Sequence, residues 1–325
     1  MKQKNILQAI IAILFGLGWE LVLNAQEPRD STEVTDYLDA ARQIAGDQWR
    51  NTVNFLCGAN PNPGNAAESA VIVPTKIFSN LYALGRSHAV VYAITTDEGI
   101  ILIDAGYPEQ VESVLLPGLR ALGLSPDDIR FVIVAHGHRD HYGGSRYLQE
   151  QYGATIILSA ADWDFMDQYR MDSAEGSIVQ PPDRDRVAEE RQPIVLGDTS
   201  VIPILVPGHT PGALGLLFSV RDGDEEHVAA MFGGTILNTS RISDDGLQQY
   251  LSSLEHFGAV AREMGVDVEI QNHPIVDNMD EKLRQLSARR ANEPHPFVVG
   301  ESAYQNFLGV IAECTKAEIA RRSSE

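Results

Sequence analysis

Four side chains of the kinds that bind metal ions lie within six residues of one another, directly after an apolar run. The run spans residues 131–135, and His136, His138, Asp140 and His141 follow it. Neutral imidazoles and carboxylates are ligands that zinc takes in proteins. A loop at the end of a buried strand can turn such side chains toward one point. The spacing therefore predicts a metal site, with scattered surface histidines as the alternative.

Two later histidines also follow predicted strands. His209 lies in a turn rich in proline and glycine over residues 206–212, and His273 comes just after an apolar segment at residues 268–270. Taken alone, each is more typical of a structural or surface histidine. Beside the first cluster, we expect both to be metal ligands.

The net charge limits the choice of partners. At 325 residues the chain carries a formal charge of -20. Such an acidic surface repels nucleic acid and anionic membranes, so neither is an expected partner. Metal ions invert the local potential, so an anionic substrate can still bind beside them. We therefore expect a small-molecule substrate.

The amino terminus has the pattern of an export signal. Lys2 and Lys4 precede a mostly apolar run over residues 10–23, which Glu20 interrupts. This pattern predicts a signal peptide over residues 1–25, and hence a periplasmic or secreted protein without stable membrane insertion after cleavage. An uncleaved anchor is the alternative, although the run is short for a membrane span.

The two cysteines lie near opposite ends of the mature chain. Cys57 and Cys314 are far from the histidines and form no CxxC pair, which disfavours metal ligation. In an oxidising compartment they can form one disulfide between the N-terminal extension and the C-terminal helix. Two buried free thiols are the alternative, and the disulfide is slightly favoured.

Strands and helices alternate along most of the chain. We predict a helical extension and linker over residues 26–68 and a main domain over 69–325. Two runs of strands, each followed by helices, favour two packed sheets with helices outside. The predicted strands cover residues 76–84, 89–95, 99–103, 131–135, 155–158, 201–206, 214–220, 227–232 and 268–270. The predicted helices cover residues 31–56, 109–122, 142–152, 160–169, 246–264, 278–291 and 302–320, with a polar stretch at 170–192.

Three motifs resemble those of the metallo-β-lactamase-fold hydrolases. His-Gly-His-Arg-Asp-His at residues 136–141 matches the HxHxDH motif of that family. Leu-Ile-Asp-Ala-Gly at residues 102–106 looks like its earlier motif, and Pro-Gly-His-Thr-Pro-Gly at 207–212 like its third. The resemblance covers about residues 76–290. It implies an α/β fold, an αββα sandwich of two mixed β-sheets with helices on the outer faces.

The resemblance also implies a set of metal ligands for two Zn²⁺ ions per chain. One zinc is expected on His136, His138 and His209, and the other on Asp140, His141 and His273. Asp104 would orient a ligand histidine instead of binding metal; a simple turn residue is the alternative. Zinc would lower the pKa of a shared water from about 15.7 toward ~7, and the hydroxide would attack an acyl carbonyl. Asp140 would be catalytic, orienting that hydroxide or handling its proton.

Residue 235 bears on the choice within the family. Many members, thioesterases and lactonases among them, place an aspartate that bridges both metals after a strand like 227–232, where this chain has Thr235. True metallo-β-lactamases lack that aspartate, and one subclass has serine there with an Asp/His/His second site. The resemblance is closest to that subclass and implies hydrolysis of a cyclic amide, a β-lactam. Thr235 and Asn238 are then expected to contact the substrate.

Two further functions stay open at this point. One is hydrolysis of a lactone, ester or thioester, and the other is zinc binding without catalysis. The filled ligand positions disfavour the second of these.

Overall fold

The computed structural model describes residues 30–58, 64, 68–172, 180–290 and 292–323, without the side chains of 169–172. The predicted signal peptide over residues 1–25 lies outside these residues. Among the helices that are described, none has the length and apolar character needed to cross a membrane.

The first sheet has seven strands, which are hydrogen-bonded in chain order. The pairs from β1 to β4 are antiparallel and those from β4 to β7 are parallel, so the sheet is mixed. Most of its residues are apolar on both faces, as expected for strands covered on both sides. The strands are β1 (Thr75–Lys76), β2 (Leu81–Gly85), β3 (Val90–Thr96), β4 (Gly99–Ile103), β5 (Ile129–Ile133), β6 (Thr155–Ser159) and β7 (Arg186–Ala188).

The second sheet has five strands in the order β12-β11-β10-β9-β8. Its pairs are antiparallel except for β11 with β12, which are parallel. Consequently β9, β11 and β12 all run in one direction and end at the same edge of the sheet. The strands are β8 (Ile194–Leu196), β9 (Thr199–Leu205), β10 (Leu214–Asp222), β11 (Glu225–Phe232) and β12 (Val268–Glu269).

Helices cover the outer faces of both sheets. Short 3-10 turns at Pro108–Gln110 and Pro126–Asp128 and a π turn at Val111–Leu115 add to them. The helices are α1 (Thr32–Ala45), α2 (Arg50–Leu56), α3 (Leu116–Ala121), α4 (Arg139–Tyr142), α5 (Ser145–Tyr152), α6 (Ala160–Asp172), α7 (Asp244–Glu263), α8 (Pro274–Asp277), α9 (Met279–Ala288) and α10 (Glu301–Ser323).

Three apolar layers hold these elements together. The middle layer joins the facing sides of the sheets, for example Ile133 with Leu216. One outer layer packs α3, α5 and α6 on the first sheet, and Trp163 is buried in it. The other packs α2, α7 and α10 on the second sheet, and Phe257 is buried in it. The predicted αββα sandwich of two mixed sheets is thus confirmed.

A disulfide joins the N-terminal extension to the C-terminal helix. The sulfurs of Cys57 and Cys314 are bonded, and the two positions are 257 residues apart in sequence. The disulfide that the sequence slightly favoured is confirmed. The extension does not stand apart, since α1 packs along α10 and Trp49 contacts Phe307.

Several element boundaries differ from the predictions for local reasons. The helix expected over residues 31–56 is interrupted at Gly46, where φ is +52°. The helix expected over 109–122 begins as a π turn and restarts near Pro117, which has no N–H to continue the ladder. The strand expected over 76–84 is interrupted between β1 and β2. Strand β7 lies inside the stretch that looked polar and irregular.

Candidate metal centre

The predicted ligands lie at one edge of the sandwich because several strands end there. Asp104 follows β4, and His136 comes after β5, which is parallel to β4. In the second sheet His209 follows β9 and His273 follows β12, which run in the same direction. The carboxyl ends of like-directed strands share an edge, where α/β proteins commonly place their sites.

His136, His138 and His209 form the first group of candidate ligands. Ring nitrogens of all three lie within 4.8 Å of one another. Nε2 of His209 is 3.0 Å from Nδ1 of His138. Nδ1 of His209 lies 2.8 Å from the carbonyl oxygen of Ile236, which can only accept, so Nδ1 carries the proton. The lone pair of His209 Nε2 therefore points at the other histidines.

The protonation of this group suits metal binding. Burial lowers the pKa of His136 and of His209 well below the usual value, and it lowers that of His138 to about 4. All three rings are then neutral at pH 7, the form that binds a metal. Both ring nitrogens of His136 are buried and have no hydrogen-bond partner among the described residues. Burial of polar atoms without partners costs free energy, and a cation bound to one of these nitrogens would remove part of that cost.

Asp140, His141 and His273 meet at a second point. Nε2 of His141 is 3.3 Å from Oδ2 of Asp140 and 3.2 Å from Nε2 of His273. Nδ1 of His273 lies 2.6 Å from the carbonyl oxygen of His88, so its proton is on Nδ1 and its Nε2 is bare. Two nitrogens that face each other at this distance need a proton or a metal ion between them.

The charges around the second point favour a cation. Burial alone would lower the pKa of His141, but the negative charges of Asp140 and Asp104 raise it to about 10. Burial alone would raise the pKa of Asp140, but its contacts with His141, His88 and His273 hold that pKa well below its usual range. The same negative charge that keeps a proton on His141 can hold a divalent metal ion in its place. The donor set of imidazoles and one carboxylate suits zinc.

Asp104 fixes the ring of His141, as the sequence predicted for an orienting carboxylate. Oδ2 of Asp104 accepts from Nδ1 of His141 at 2.7 Å, and Oδ1 accepts from the backbone N–H of Ala135 at 2.8 Å. The residue is buried and has a φ of +64°, which is rare for a non-glycine residue. This carboxylate–histidine pair leaves Nε2 of His141 free for a metal.

Asp162 connects the two loops that carry the first group. Its Oδ2 accepts from the N–H of Gly137 and from the hydroxyl of Thr210, at 2.7 and 2.8 Å. Its Oδ1 accepts from the N–H of Gly212 at 2.7 Å. A Cβ on Gly137 would lie 3.0 Å from the ring of Phe165, so a side chain here would require α6 to shift by a few tenths of an ångström.

The turn after β11 presents Gly234 to the first group. A Cβ on Gly234 would lie 2.6 Å from Cβ of His209. Thr235 is fully buried, and its hydroxyl lies against the carbonyl of Phe232 and the amide of Gln271. From the sequence, Thr235 was placed at the position of the bridging aspartate, which faces the metals. The structure corrects this placement, because Gly234 lies against His209 and the Thr235 hydroxyl bonds elsewhere. The predicted contact of Thr235 with substrate has no support in this geometry.

Asn238 lies further along the same loop and is half-buried. Its side-chain oxygen accepts from the hydroxyl of Ser240 at 2.9 Å. Its contact with substrate stays a prediction. Nearby Arg241 is exposed and close enough to His138 to contribute to lowering its pKa, after the larger effect of burial.

Sequence reasoning missed two residues at this site, His88 and Asp162. His88 lies in the turn between β2 and β3, and the antiparallel pairing of β3 with β4 brings that turn to the end of β4 beside Asp104. This register was the signal that could have located His88. Asp162 lies at the start of α6 and belongs to none of the recognised motifs.

Known proteins resemble part of this chain in sequence. Residues 84–222 match the sequence model of the Metallo-beta-lactamase superfamily. An N-acyl homoserine lactonase of Bacillus cereus is 29% identical over 156 residues, which are 40% of this chain and 58% of that protein. The match therefore spans a little over half of that relative.

Solved structures extend the likeness to most of the chain. A subclass B3 metallo-beta-lactamase of Bradyrhizobium japonicum superposes with a TM-score of 0.64 and 25% identity, covering 74% of this chain and 93% of the other. A metallo-beta-lactamase of Legionella gormanii gives a TM-score of 0.68 at 21% identity, covering 79% and 99%. The chain has the metallo-β-lactamase fold, and its residues 84–222 resemble the metallo-β-lactamase superfamily in sequence.

Proposed function

We propose that the protein is an exported, zinc-dependent hydrolase that opens a cyclic amide, a β-lactam. The observation that carries this proposal is the makeup of the two ligand groups. Among the described residues, they contain a single carboxylate, that of Asp140. Gly234, the residue of the β11 turn that lies against His209, has no side chain with which to bridge two metals.

The superfamily resemblance explains why the lack of a bridging carboxylate at this turn bears on the substrate. Lactonases and thioesterases of the family bridge their metals with an aspartate after the corresponding strand, and lactamases do not. The likeness in fold to the Bradyrhizobium B3 enzyme, over 93% of its length, supports the same choice.

The chain's own groups have distinct tasks in this proposal. Zinc ions at the two groups would supply Lewis-acid polarisation of the scissile carbonyl and a water of lowered pKa. Asp140, whose pKa is held well below its usual range, stays ionised at neutral pH and can accept a proton or orient the water. Arg241 offers an exposed guanidinium near His138 to the carboxylate that a β-lactam antibiotic carries.

Lactone hydrolysis is the second candidate, because the Bacillus cereus relative is named as an N-acyl homoserine lactonase. That match covers 40% of this chain. The two candidates differ in whether a nitrogen or an oxygen leaves the acyl carbon.

A substrate panel with metal control tests the proposal. The purified protein, loaded with Zn²⁺, would be assayed with nitrocefin, a carbapenem, an N-acyl homoserine lactone and a glutathione thioester. We expect lactam turnover that chelation abolishes and added zinc restores. The variant Asp140→Asn should lose most activity, whereas the matched control Asp164→Asn, an exposed α6 aspartate that pairs with Arg184, should keep it.

The other outcomes each select a different function. Turnover of the lactone or thioester alone would replace the proposal with the second candidate. Bound zinc without turnover of any substrate would indicate a zinc-binding protein without this activity.

Export is part of the same proposal. The disulfide between Cys57 and Cys314 supports it, since such bonds persist mainly in oxidising compartments. Recovery of the mature protein from the periplasm or medium, with its amino terminus sequenced, tests the predicted cleavage after residue 25.

A further inference from the structure

His88 lies at the second metal point but belongs to none of the metal-binding motifs. It is 7% exposed, in the turn between β2 and β3. Its side chain and backbone both face the site. Its carbonyl oxygen accepts from Nδ1 of His273 at 2.6 Å, and its Nε2 lies 3.5 Å from Oδ2 of Asp140. A buried imidazole aimed at a ligand carboxylate needs a physical reason.

The spacing around Asp140 is that of ligand atoms on one metal. Ligand atoms, one each from His88, Asp140 and His273, lie within 4.8 Å of one another. From Oδ2 of Asp140, Nε2 of His88 is 3.5 Å away and Nε2 of His273 is 3.8 Å away. Zinc–nitrogen bonds of roughly 2.0–2.1 Å place tetrahedral ligand atoms about 3.3 Å apart. The observed separations are close to that value.

The hydrogen bonds of His88 leave its Nε2 available. The hydroxyl of Tyr107 lies 3.2 Å from Nε2, and it can donate to a bare nitrogen. Nδ1 of His88 is buried with no hydrogen-bond partner among the described residues. In the tautomer with the proton on Nδ1, the lone pair of Nε2 points toward Asp140, and a metal there would take the place of the tyrosine hydroxyl.

We propose that His88 is an additional ligand of the second metal, through Nε2, beside Asp140, His141 and His273. The inference rests on the proposed function only in requiring that the protein binds metal there. Four protein ligands are typical of structural zinc sites, whereas catalytic sites commonly have three. The second metal would then be held more firmly than three ligands allow.

Metal binding tests this without reference to turnover. In the dicobalt form of the full protein, each histidine ligand contributes an exchangeable, paramagnetically shifted N–H signal in proton NMR with ¹⁵N-labelled histidine. His136, His138, His209, His141 and His273 account for five such signals, and His88 adds a sixth. The variants His88→Phe and His88→Ala should each lose one signal. Their affinity for the second metal, measured by chelator competition, should fall at least about tenfold.

A matched control removes a buried histidine elsewhere. His295 is 5% exposed, its Nε2 donates to the carbonyl of Ile77, and its ring stacks on Phe78. His295→Ala should leave the number of shifted signals and both metal affinities unchanged. Because the count is made on the wild-type protein, it stands even if a variant fails to fold.

The inference is overturned if the wild-type protein shows five shifted signals and His88→Phe binds the second metal as tightly as the wild type does. Two bound metals with six signals but no hydrolysis would overturn the proposed function and leave the ligand assignment intact. Absence of cobalt or zinc binding would overturn both.

Discussion

The backbone N–H of Gly137 donates to the carboxylate of Asp162 across 2.7 Å, and so connects the loop of the first two histidines to α6. The same carboxylate accepts from the His209 loop through Gly212. One buried side chain thus sets the distance between loops from the two sheets.

Asp162 gives a prediction for stability against pH. Burial raises its pKa from 3.8 to about 6, although its three hydrogen bonds act in the opposite direction. A raised carboxyl pKa means that the folded state binds more protons between about pH 4 and 6, so stability falls as pH rises through this window. Shifts of this size correspond to about 3 kcal/mol.

The comparison of metal-free wild type with Asp162→Asn isolates this group. The asparagine side chain does not titrate, so the difference in unfolding free energy between the two proteins should change across pH 4–6 by up to about 3 kcal/mol. Urea unfolding at a series of pH values measures it. Parallel curves for the two proteins across this window would contradict the raised pKa.

Asp104→Asn should weaken the second metal. The variant removes the acceptor that fixes Nδ1 of His141, and losses of about 10–100-fold in metal affinity are typical for such partners. Chelator competition measures the loss. Asp267→Asn, which alters another histidine–carboxylate pair with His227, is the control and should not change metal affinity. If Asp104→Asn and Asp267→Asn bound the second metal with equal affinity, Asp104 would not have the orienting role.

Gly234→Ala should release metal from the first group. Its φ is +72°, and the added Cβ would meet the side chain of His209, so the ring must move. We expect loss of roughly one zinc per chain by elemental analysis. Thr235→Val removes a hydroxyl that bonds only inside the protein among the described contacts, and it should keep both metals. The reverse pattern would restore Thr235 as the residue facing the ligands.

Arg241→Ala should raise KM for β-lactams with a carboxylate by about tenfold, with a smaller change in kcat. Hydrogen bonds to charged groups contribute roughly 1.5–3 kcal/mol, less where water screens them. The effect should shrink at high ionic strength. Arg290→Ala serves as the control, because Arg290 lies with Asp222 at the opposite edge of the sandwich. An unchanged KM would exclude Arg241 as the anion contact.

Reduction of the disulfide should destabilise the fold more than the site. The double variant Cys57→Ser, Cys314→Ser is expected to lose about 2–5 kcal/mol of unfolding free energy, since long closed loops constrain the unfolded chain. Hydrolysis under native conditions should be nearly unchanged, because the bond lies between the linker and α10. Guanidinium unfolding, with and without reductant on the wild type, measures the difference. Equal midpoints would show that the bond contributes nothing.

The sequence was sufficient where ligands are adjacent or follow a recognisable strand. His136, His138, Asp140, His141 and His209 could be named as candidate ligands because motif and strand end coincide. The layers of the fold followed from the same alternation of strands and helices. Position 235 was misjudged because a one-residue shift at a tight turn reverses which side chain faces inward.

Other features depend on tertiary geometry that no local pattern carries. His88 reaches the site only through the pairing of β3 with β4. Asp162 resembles any acidic residue at a helix start until the two loops close over it. Strand β7 is three residues long, too short for a period to show.

Both ligand groups draw on both halves of the sandwich. His136, His138, Asp140 and His141 belong to the first sheet's loops, whereas His209 and His273 come from the second. Each metal would therefore act as a cross-link between the two sheets at the edge where the ligand loops lie. Removal of the metals would let the sheets separate locally at this edge more often. The rates of amide hydrogen exchange at the carboxyl ends of β5 and β9 would then rise together, whereas amides at the opposite edge would stay protected.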